Sequence, residues 1–414
     1  MLRSPFIRTF LICLFATSAA ASESPIQPGD RIAIIGNTFA DQLRIHGYLE
    51  TLLLQHTGKD PVSIRNLGWG GDMVSARDRP TGFPTEETTL REHKTDVIIA
   101  CFGMGESFAG EAGLEDFKTQ LKNLIASYSG QVYNGKSPVR IILVSPIACE
   151  DHGSLTPECD QRNRDLSDYR WAMQEVAKEA NLHFVDLFEM SQYLMDESEG
   201  PNLTNNGIHL NAYGFWAMSN TFLNQLIAED RPQNSQSWTL RIDASTQALD
   251  SQGVAITDLS TDDSEICFRV QELTPPRLRP PTDQPLPPQL EFLRDQLIVE
   301  NLRPGNYQLT INEEPVVLAT AEAWAQGVAI DSSPAHQEMD RFRSRVNDKN
   351  LQFTYSWKAL NQVHIVGERR SSPSGRALPQ EVLEFNRLAN ALDNKLRDGT
   401  ELKTRDWCLS RIPD

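Results

Sequence analysis

Four short loops of this 414-residue chain carry side chains whose types and spacing could do chemistry. They read Gly36-Asn37-Thr38, Asn66-Leu67-Gly68-Trp69-Gly70-Gly71, Gly103-Met104-Gly105-Glu106 and Asn206-Gly207-Ile208-His209. A hydroxyl becomes a nucleophile when a neighbouring base removes its proton, so Thr38 and His209 could together attack an acyl carbon. Backbone N–H groups of glycine-rich turns could stabilise the oxyanion that this attack creates. The loops therefore contain a hydroxyl, an imidazole and glycine-rich turns, the groups from which such a reaction could be built.

Short apolar strands that alternate with amphipathic helices must position these loops. Strand patterns occupy residues 31–35, 62–66, 96–101, 139–145 and 182–186. Between them, apolar residues recur at helical spacing. This alternation predicts a parallel sheet that helices cover on both faces. Ligands of such sheets bind beyond the carboxyl ends of the strands, so we expect the loops to meet at one edge of the sheet.

The order and spacing of the loops resemble the SGNH (GDSL-type) hydrolases over about half of the chain. That resemblance implies a three-layer α/β/α fold, flavodoxin-like, with a five-stranded parallel sheet, and ester hydrolysis without a cofactor. By position it makes Thr38 the nucleophile and His209 the base, with Asn206 where the family has the orienting acid. It makes Gly71 and Gly105 the two oxyanion positions. The chain is most similar to an exported branch of the family with Gly-Asn-Thr in its first block.

The catalytic set is degenerate, because only Gly71 and His209 keep the family's residue type. Asn206 replaces an aspartate, a change that costs about 10⁴ in turnover in serine proteases. Gly105 replaces an asparagine, and one lost oxyanion donor costs about 10²–10³. Thr38 keeps a hydroxyl, although on a β-branched side chain. The sequence therefore predicts a weak hydrolase of acyl or acetyl esters, with carbohydrate esters as substrates by family analogy.

Two other interpretations stay open from the sequence. The first is a catalytically dead pseudoenzyme that binds a glycan or acylated ligand in the same cleft. The second is an α/β-hydrolase-like esterase with Ser107 as its nucleophile, in a segment that approximates the Gly-x-Ser-x-Gly elbow. Asp186 and His209 follow Ser107 in the order that this second family uses, but alanine replaces its last glycine.

The rest of the chain predicts an exported protein of several parts. The N-terminus combines Arg3 and Arg8 with an apolar run and Ala19-Ala20-Ala21, the pattern of a signal peptide. We therefore expect a periplasmic or secreted protein. The predicted parts are a signal peptide (1–21), an SGNH hydrolase-like domain (28–230), a small β-rich domain (236–318) with a proline-rich segment (275–288), and a mostly helical C-terminal region (319–414).

The net charge limits the binding partners that we expect, and the spacing of the histidines and cysteines limits the metal sites. The chain has 39 Lys and Arg against 56 Asp and Glu, a net charge of −17. This balance argues against nucleic acid and anionic membranes. No apolar run beyond the N-terminus is long enough to span a membrane, and no His/Cys cluster has metal-ligand spacing. The predicted partner is a small-molecule or glycan ester, with neither metal nor cofactor. Cys149 and Cys159 bracket a loop and are the predicted disulfide.

Overall fold

The structure, a computed structural model, describes residues 24–77, 85–196, 200–227, 237–262, 264–287, 290, 294–359, 371–399 and 401–413. The predicted signal peptide, residues 1–21, lies outside the described residues. Within them, no helix has both the length and the apolar character that crossing a membrane requires.

A five-stranded parallel sheet forms the centre of the N-terminal half. Its strands are β1 (Arg31–Gly36), β2 (Ser63–Asn66), β3 (Val97–Cys101), β4 (Arg140–Val144) and β5 (His183–Val185). They lie in the order β2-β1-β3-β4-β5, and every neighbouring pair is parallel. The predicted fold class, three-layer α/β/α with five parallel strands, is confirmed.

Helices cover both faces of this sheet. They are α1 (Thr38–His46), α2 (Tyr48–Thr57), α3 (Glu86–His93), α4 (Leu114–Tyr128), α5 (Cys159–Glu179), α6 (Phe188–Asp196) and α7 (Ala212–Leu226). Side chains of a strand alternate between the two faces. Ile32 and Ile34 of β1 accordingly join the core with α2 and α7, whereas Ala33 and Ile35 join the core with α4 and α5.

Two further sheets and three helices follow. Their elements are β6 (Thr239–Asp243), β7 (Leu249–Gln252), β8 (Val254–Thr261), β9 (Glu265–Glu272), β10 (Gln296–Glu300), β11 (Asn306–Ile311), β12 (Glu314–Thr320), α8 (Ala321–Gln326), β13 (Val328–Ala329), α9 (Pro334–Ala359), α10 (Pro373–Arg397) and β14 (Thr404–Ile412). The strand orders are β13-β10-β6-β7 and β12-β11-β14-β9-β8. β14 pairs with both β9 and β11, so the last strand of the described residues lies at the centre of the five-stranded sheet.

The long helices α9 and α10 pack against the N-terminal sheet, beside its edge strand β2. Phe342 and Val346 of α9 join one core of the sheet, and Phe353 joins the other. The Lys349 ammonium, fully buried, donates to the Ile64 carbonyl of β2 at 2.9 Å. The helices thus cover an edge that would otherwise expose unpaired backbone groups.

The disulfide prediction is wrong. Cys149 and Cys159 are free thiols, and the Cys159 thiol donates to the Cys149 carbonyl at 3.0 Å. Cys267 and Cys408 form the disulfide among the described cysteines. They face each other in the register of β9 and β14, 141 residues apart in the chain. Local spacing could not reveal this pair, because only strand pairing brings it together.

Removing the disulfide should destabilise the β-rich part of the chain. A cross-link that closes so long a loop restricts the unfolded chain strongly, so we expect Cys267→Ala with Cys408→Ala to lower the free energy of unfolding by about 3–5 kcal/mol. Urea unfolding measures the difference. A reductant should bring the parent to the midpoint of the double variant and leave the variant unchanged. Equal midpoints without reductant would contradict this prediction.

Candidate active site

A turn at Gly36 places Thr38 just after the end of β1. Gly36 has a φ of +131°, and a β-carbon there would lie 2.1 Å from the Cys101 carbonyl oxygen of β3, so glycine is required. Asn37 caps α1, since its side-chain oxygen accepts from the Phe39 N–H at 3.0 Å. Thr38 is the first residue of α1 and is half-buried at the carboxyl edge of the sheet.

The loop after β2 brings Gly71 to the predicted nucleophile. The Gly71 N–H donates to Thr38 Oγ1 at 3.3 Å. Two contacts hold this loop against α1: a β-carbon at Gly68 would lie within 3 Å of the α1 backbone, and the Asn66 amide donates to the Ala40 carbonyl at 2.6 Å. The first and second loops therefore meet, and they place a backbone donor beside a hydroxyl.

Glu106 joins the third loop to the second. Its two carboxylate oxygens accept from the Val74 N–H at 2.7 Å and from the Gly103 N–H at 2.9 Å. Burial raises the pKa of Glu106, and these backbone bonds oppose the rise. Gly105 lies beside Met73 and has helical dihedral angles, with φ −71° and ψ −43°. Gly105 has no side-chain donor to offer an oxyanion.

Asn206 and His209 are hydrogen bonded side chain to side chain. The Asn206 amide nitrogen lies 3.0 Å from His209 Nδ1. The Asn206 amide oxygen accepts the backbone N–H groups of His209 and Ile208, at 3.0 and 3.4 Å. Because those two donors require an oxygen, the NH₂ group of Asn206 must face the ring. Nδ1 must then accept, so the neutral imidazole carries its proton on Nε2. A base acting through Nε2 needs the other tautomer.

Glu150, which follows β4, holds the loop of His209. Its buried carboxylate accepts from the N–H groups of Leu203 and Thr204 at 2.8 and 2.7 Å, and from the Thr204 hydroxyl at 2.5 Å. His152 Nε2 lies 3.1 Å from the same carboxylate. The Glu150 N–H donates to the Gly207 carbonyl at 2.9 Å. Sequence motifs did not indicate Glu150, although its place after a strand of the parallel sheet was a usable signal.

Glu150→Gln should loosen this loop with little change in shape. Glutamine replaces one acceptor oxygen by a donor that faces a backbone N–H, and an unsatisfied buried group costs about 1–3 kcal/mol. We expect the free energy of unfolding to fall by that amount, measured by urea unfolding. Glu158→Gln is the matched control, because Glu158 is exposed and makes no side-chain capping bond. Equal stability of the two variants would contradict the role of Glu150.

Thr38 and His209 lie at the same edge of the sheet. Their neighbours in the sequence share packing partners: Phe39 and Met104 pack against one hydrophobic cluster, and Ile208 and Met104 pack against a smaller one. Among the described residues, no hydrogen bond joins the Thr38 hydroxyl to the His209 ring. Catalytic hydrogen bonds of ligand-free enzymes are often long and shorten when substrate binds.

Ser107, the alternative nucleophile, is differently placed. Its side chain is fully buried, and its hydroxyl donates to the Met104 carbonyl at 2.9 Å and accepts from Arg162 at 2.7 Å. In the described part of the chain, no histidine bonds to it. Asp186, the acid of that alternative, pairs with the Arg170 guanidinium instead. These contacts favour Thr38 over Ser107.

One group of potential metal ligands comes together in the described ranges: Glu265, Cys267 and Cys408. The two cysteines are joined in the disulfide, so their sulfurs are not free thiolates. The group lies in the β-rich part of the chain, on β9 and β14.

The parallel sheet and the loops at its carboxyl edge define an α/β/α hydrolase fold of the SGNH type. Residues 29–217 match the family model of the GDSL-like lipase/acylhydrolase family. The resemblance predicted from the four loops is confirmed. No curated protein sequence matches the chain.

Several solved structures are similar. BT4096, a gut microbial diltiazem-metabolizing enzyme, has a TM-score of 0.65 at 16% identity and covers 94% of this chain and 100% of its own. Axe2, an acetylxylan esterase from Geobacillus stearothermophilus, has a TM-score of 0.39 at 18% identity, covering 50% of this chain and 98% of its own. The acetyl xylan esterase AlAXEase has a TM-score of 0.36 at 16% identity, and the match covers 48% of this chain and 100% of AlAXEase. The likeness to BT4096 shows a shared fold over nearly the whole chain.

Proposed function

We propose that the chain is an exported, slow hydrolase of acyl or acetyl esters, with carbohydrate esters in its substrate class. The acylhydrolase family of residues 29–217 supports the type of reaction. The observation that carries the proposal is the hydrogen bond from the Gly71 N–H to Thr38 Oγ1, at 3.3 Å. It supports a nucleophile with an oxyanion donor beside it.

In this proposal His209 removes the proton of the Thr38 hydroxyl, and Oγ1 attacks the ester carbonyl carbon. The Gly71 and Thr38 backbone N–H groups then stabilise the oxyanion. His209 returns the proton to the leaving alcohol oxygen as the ester bond breaks. A water molecule attacks the acylated Thr38 in the same way and releases the acid. No cofactor takes part.

The Asn206–His209 hydrogen bond is the reason to expect slow turnover. The amide donor stabilises the tautomer with its proton on Nε2, whereas the reaction uses the tautomer with its proton on Nδ1. A matching aspartate-to-asparagine change costs about 10⁴ in turnover in serine proteases.

The same hydrogen bond favours a second candidate function, ligand binding without turnover. With its proton on Nε2, His209 is a hydrogen-bond donor that suits an ester carbonyl oxygen. The cleft would then hold a glycan or an acylated ligand and release it unchanged.

Hydrolysis of p-nitrophenyl acetate distinguishes these functions. The hydrolase proposal predicts that His209→Ala and Thr38→Ala reduce the rate to that of buffer, whereas Ser107→Ala retains it. Equal rates for the parent and His209→Ala would reject the hydrolase and favour binding. If Ser107→Ala lost activity and Thr38→Ala kept it, the alternative of an α/β-hydrolase-like esterase with Ser107 as its nucleophile would be favoured. Export is tested by the N-terminal mass of protein secreted by a bacterial host, which should begin near Ser22.

A further inference from the structure

We propose that Lys358 of the C-terminal helix α9 is a positioning residue for Thr38 and Gly71, an inference that rests on the proposed function. Lys358 lies outside residues 29–217, the part that matches the family. Its ammonium lies 2.6 Å from the Asp41 carboxylate and 5.0 Å from the centre of the Trp69 ring. These contacts join it to α1, which begins at Thr38, and to the loop that carries Gly71.

The first contact fixes the start of α1. Asp41 lies three residues after Thr38, so the two side chains project from one face of the first helical turn. The Asp41 carboxylate also accepts from Arg44 at 2.8 Å. Two cations therefore contact the same oxygen of this carboxylate, Oδ1, and one of the two comes from α9.

The second contact fixes the turn that carries Gly71. The Trp69 N–H donates to the Gly36 carbonyl at 2.9 Å, and two residues later the Gly71 N–H donates to Thr38. A cation over an indole ring is attracted to the negative face of the ring. The turn is therefore held by the β1 backbone, through the Trp69 N–H, and by the Lys358 ammonium over the Trp69 ring.

Burial of the Lys358 side chain shields its contacts with Asp41 and Trp69 from solvent. The Lys358 side chain is 15% exposed. Burial lowers the pKa of Lys358, and the hydrogen bond to Asp41 opposes that change. Arg44 and Asp72 are the other charges that act on it. Loss of the ammonium would remove one partner shared by α1 and the Trp69 turn, so the distance from Gly71 N to Thr38 Oγ1 would vary more.

The kinetic test uses Lys358→Met, which keeps the length of the side chain and removes its charge. Because Lys358 acts through the reacting groups and does not touch substrate, we expect kcat for p-nitrophenyl acetate to fall about tenfold and KM to change less than about twofold. Lys358→Arg should restore most of kcat. Lys122→Met is the matched control, since it removes an exposed ion pair between Lys122 of α4 and Glu179 of α5. An unchanged kcat in Lys358→Met would overturn the inference.

Hydrogen exchange supplies a readout that does not need activity. The peptide of residues 67–72 should exchange faster in Lys358→Met than in the parent or in Lys122→Met. If the parent lacks His209-dependent hydrolysis but this acceleration occurs, the proposed function fails and the positioning contact is supported. Unchanged exchange in Lys358→Met overturns the positioning role, whether or not the parent is active.

Discussion

Asn206→Asp is expected to raise kcat/KM for p-nitrophenyl acetate by about 10³–10⁴, the reverse of the loss seen when such an aspartate becomes asparagine. The backbone N–H groups of Ile208 and His209 would keep one carboxylate oxygen, as they now keep the amide oxygen. The second oxygen would then face His209 Nδ1 and accept its proton. That arrangement leaves Nε2 free to act as a base.

Asn205→Asp is the control for this prediction. Asn205 is the preceding residue, it is exposed, and its backbone N–H donates to the His209 carbonyl at 2.9 Å. In the described structure its side chain makes no bond to the imidazole, so the variant adds the same charge without changing the tautomer. We expect its kcat/KM to match the parent. An equal gain in both variants would show a general charge effect and contradict the tautomer argument.

Gly105→Asn, added to Asn206→Asp, should raise kcat by about a further 10²-fold, because it supplies a side-chain donor for the oxyanion. The helical dihedral angles of Gly105 accept any residue. A β-carbon there would lie 3.0 Å from Met73 Cγ, and the flexible methionine side chain can move by the few tenths of an ångström required. Steady-state kinetics at saturating ester measure the effect.

Gly105→Ala on the same background separates the donor from the added volume. Alanine places the same β-carbon against Met73 and provides no hydrogen bond. We expect it to leave kcat at or below that of Asn206→Asp alone. If alanine gave the same gain as asparagine, the oxyanion role of position 105 would be refuted.

The sheet and its loops were predictable because their signals are local. An apolar run such as residues 31–35 reads as a buried strand without knowledge of its neighbours. Gly36 and Gly68 mark places where two backbones approach closely, and glycine is the residue that such places require. The order of the four loops, compared with that of the SGNH hydrolases, then singled out Thr38 and His209.

The remaining features depend on contacts between distant parts of the chain. Lys358 meets Asp41 and Trp69 only because α9 packs beside β2. Cys267 meets Cys408 only because the last strand returns to the sheet of β9. No spacing rule in the sequence marks either pairing. The amide orientation of Asn206 likewise depends on where two backbone N–H groups point, and a motif alone does not supply that information.

Covalent labelling tests most directly whether Thr38 and His209 form one reactive centre. A p-nitrophenyl alkylphosphonate forms a P–O bond with an activated hydroxyl and releases p-nitrophenolate. In the Asn206→Asp protein, we predict that mass mapping after trypsin finds the adduct on the peptide of residues 32–44, at Thr38, and that His209→Ala on the same background abolishes it. An adduct at Ser107, in the peptide of residues 95–118, or equal labelling of Thr38 with and without His209, would contradict the account.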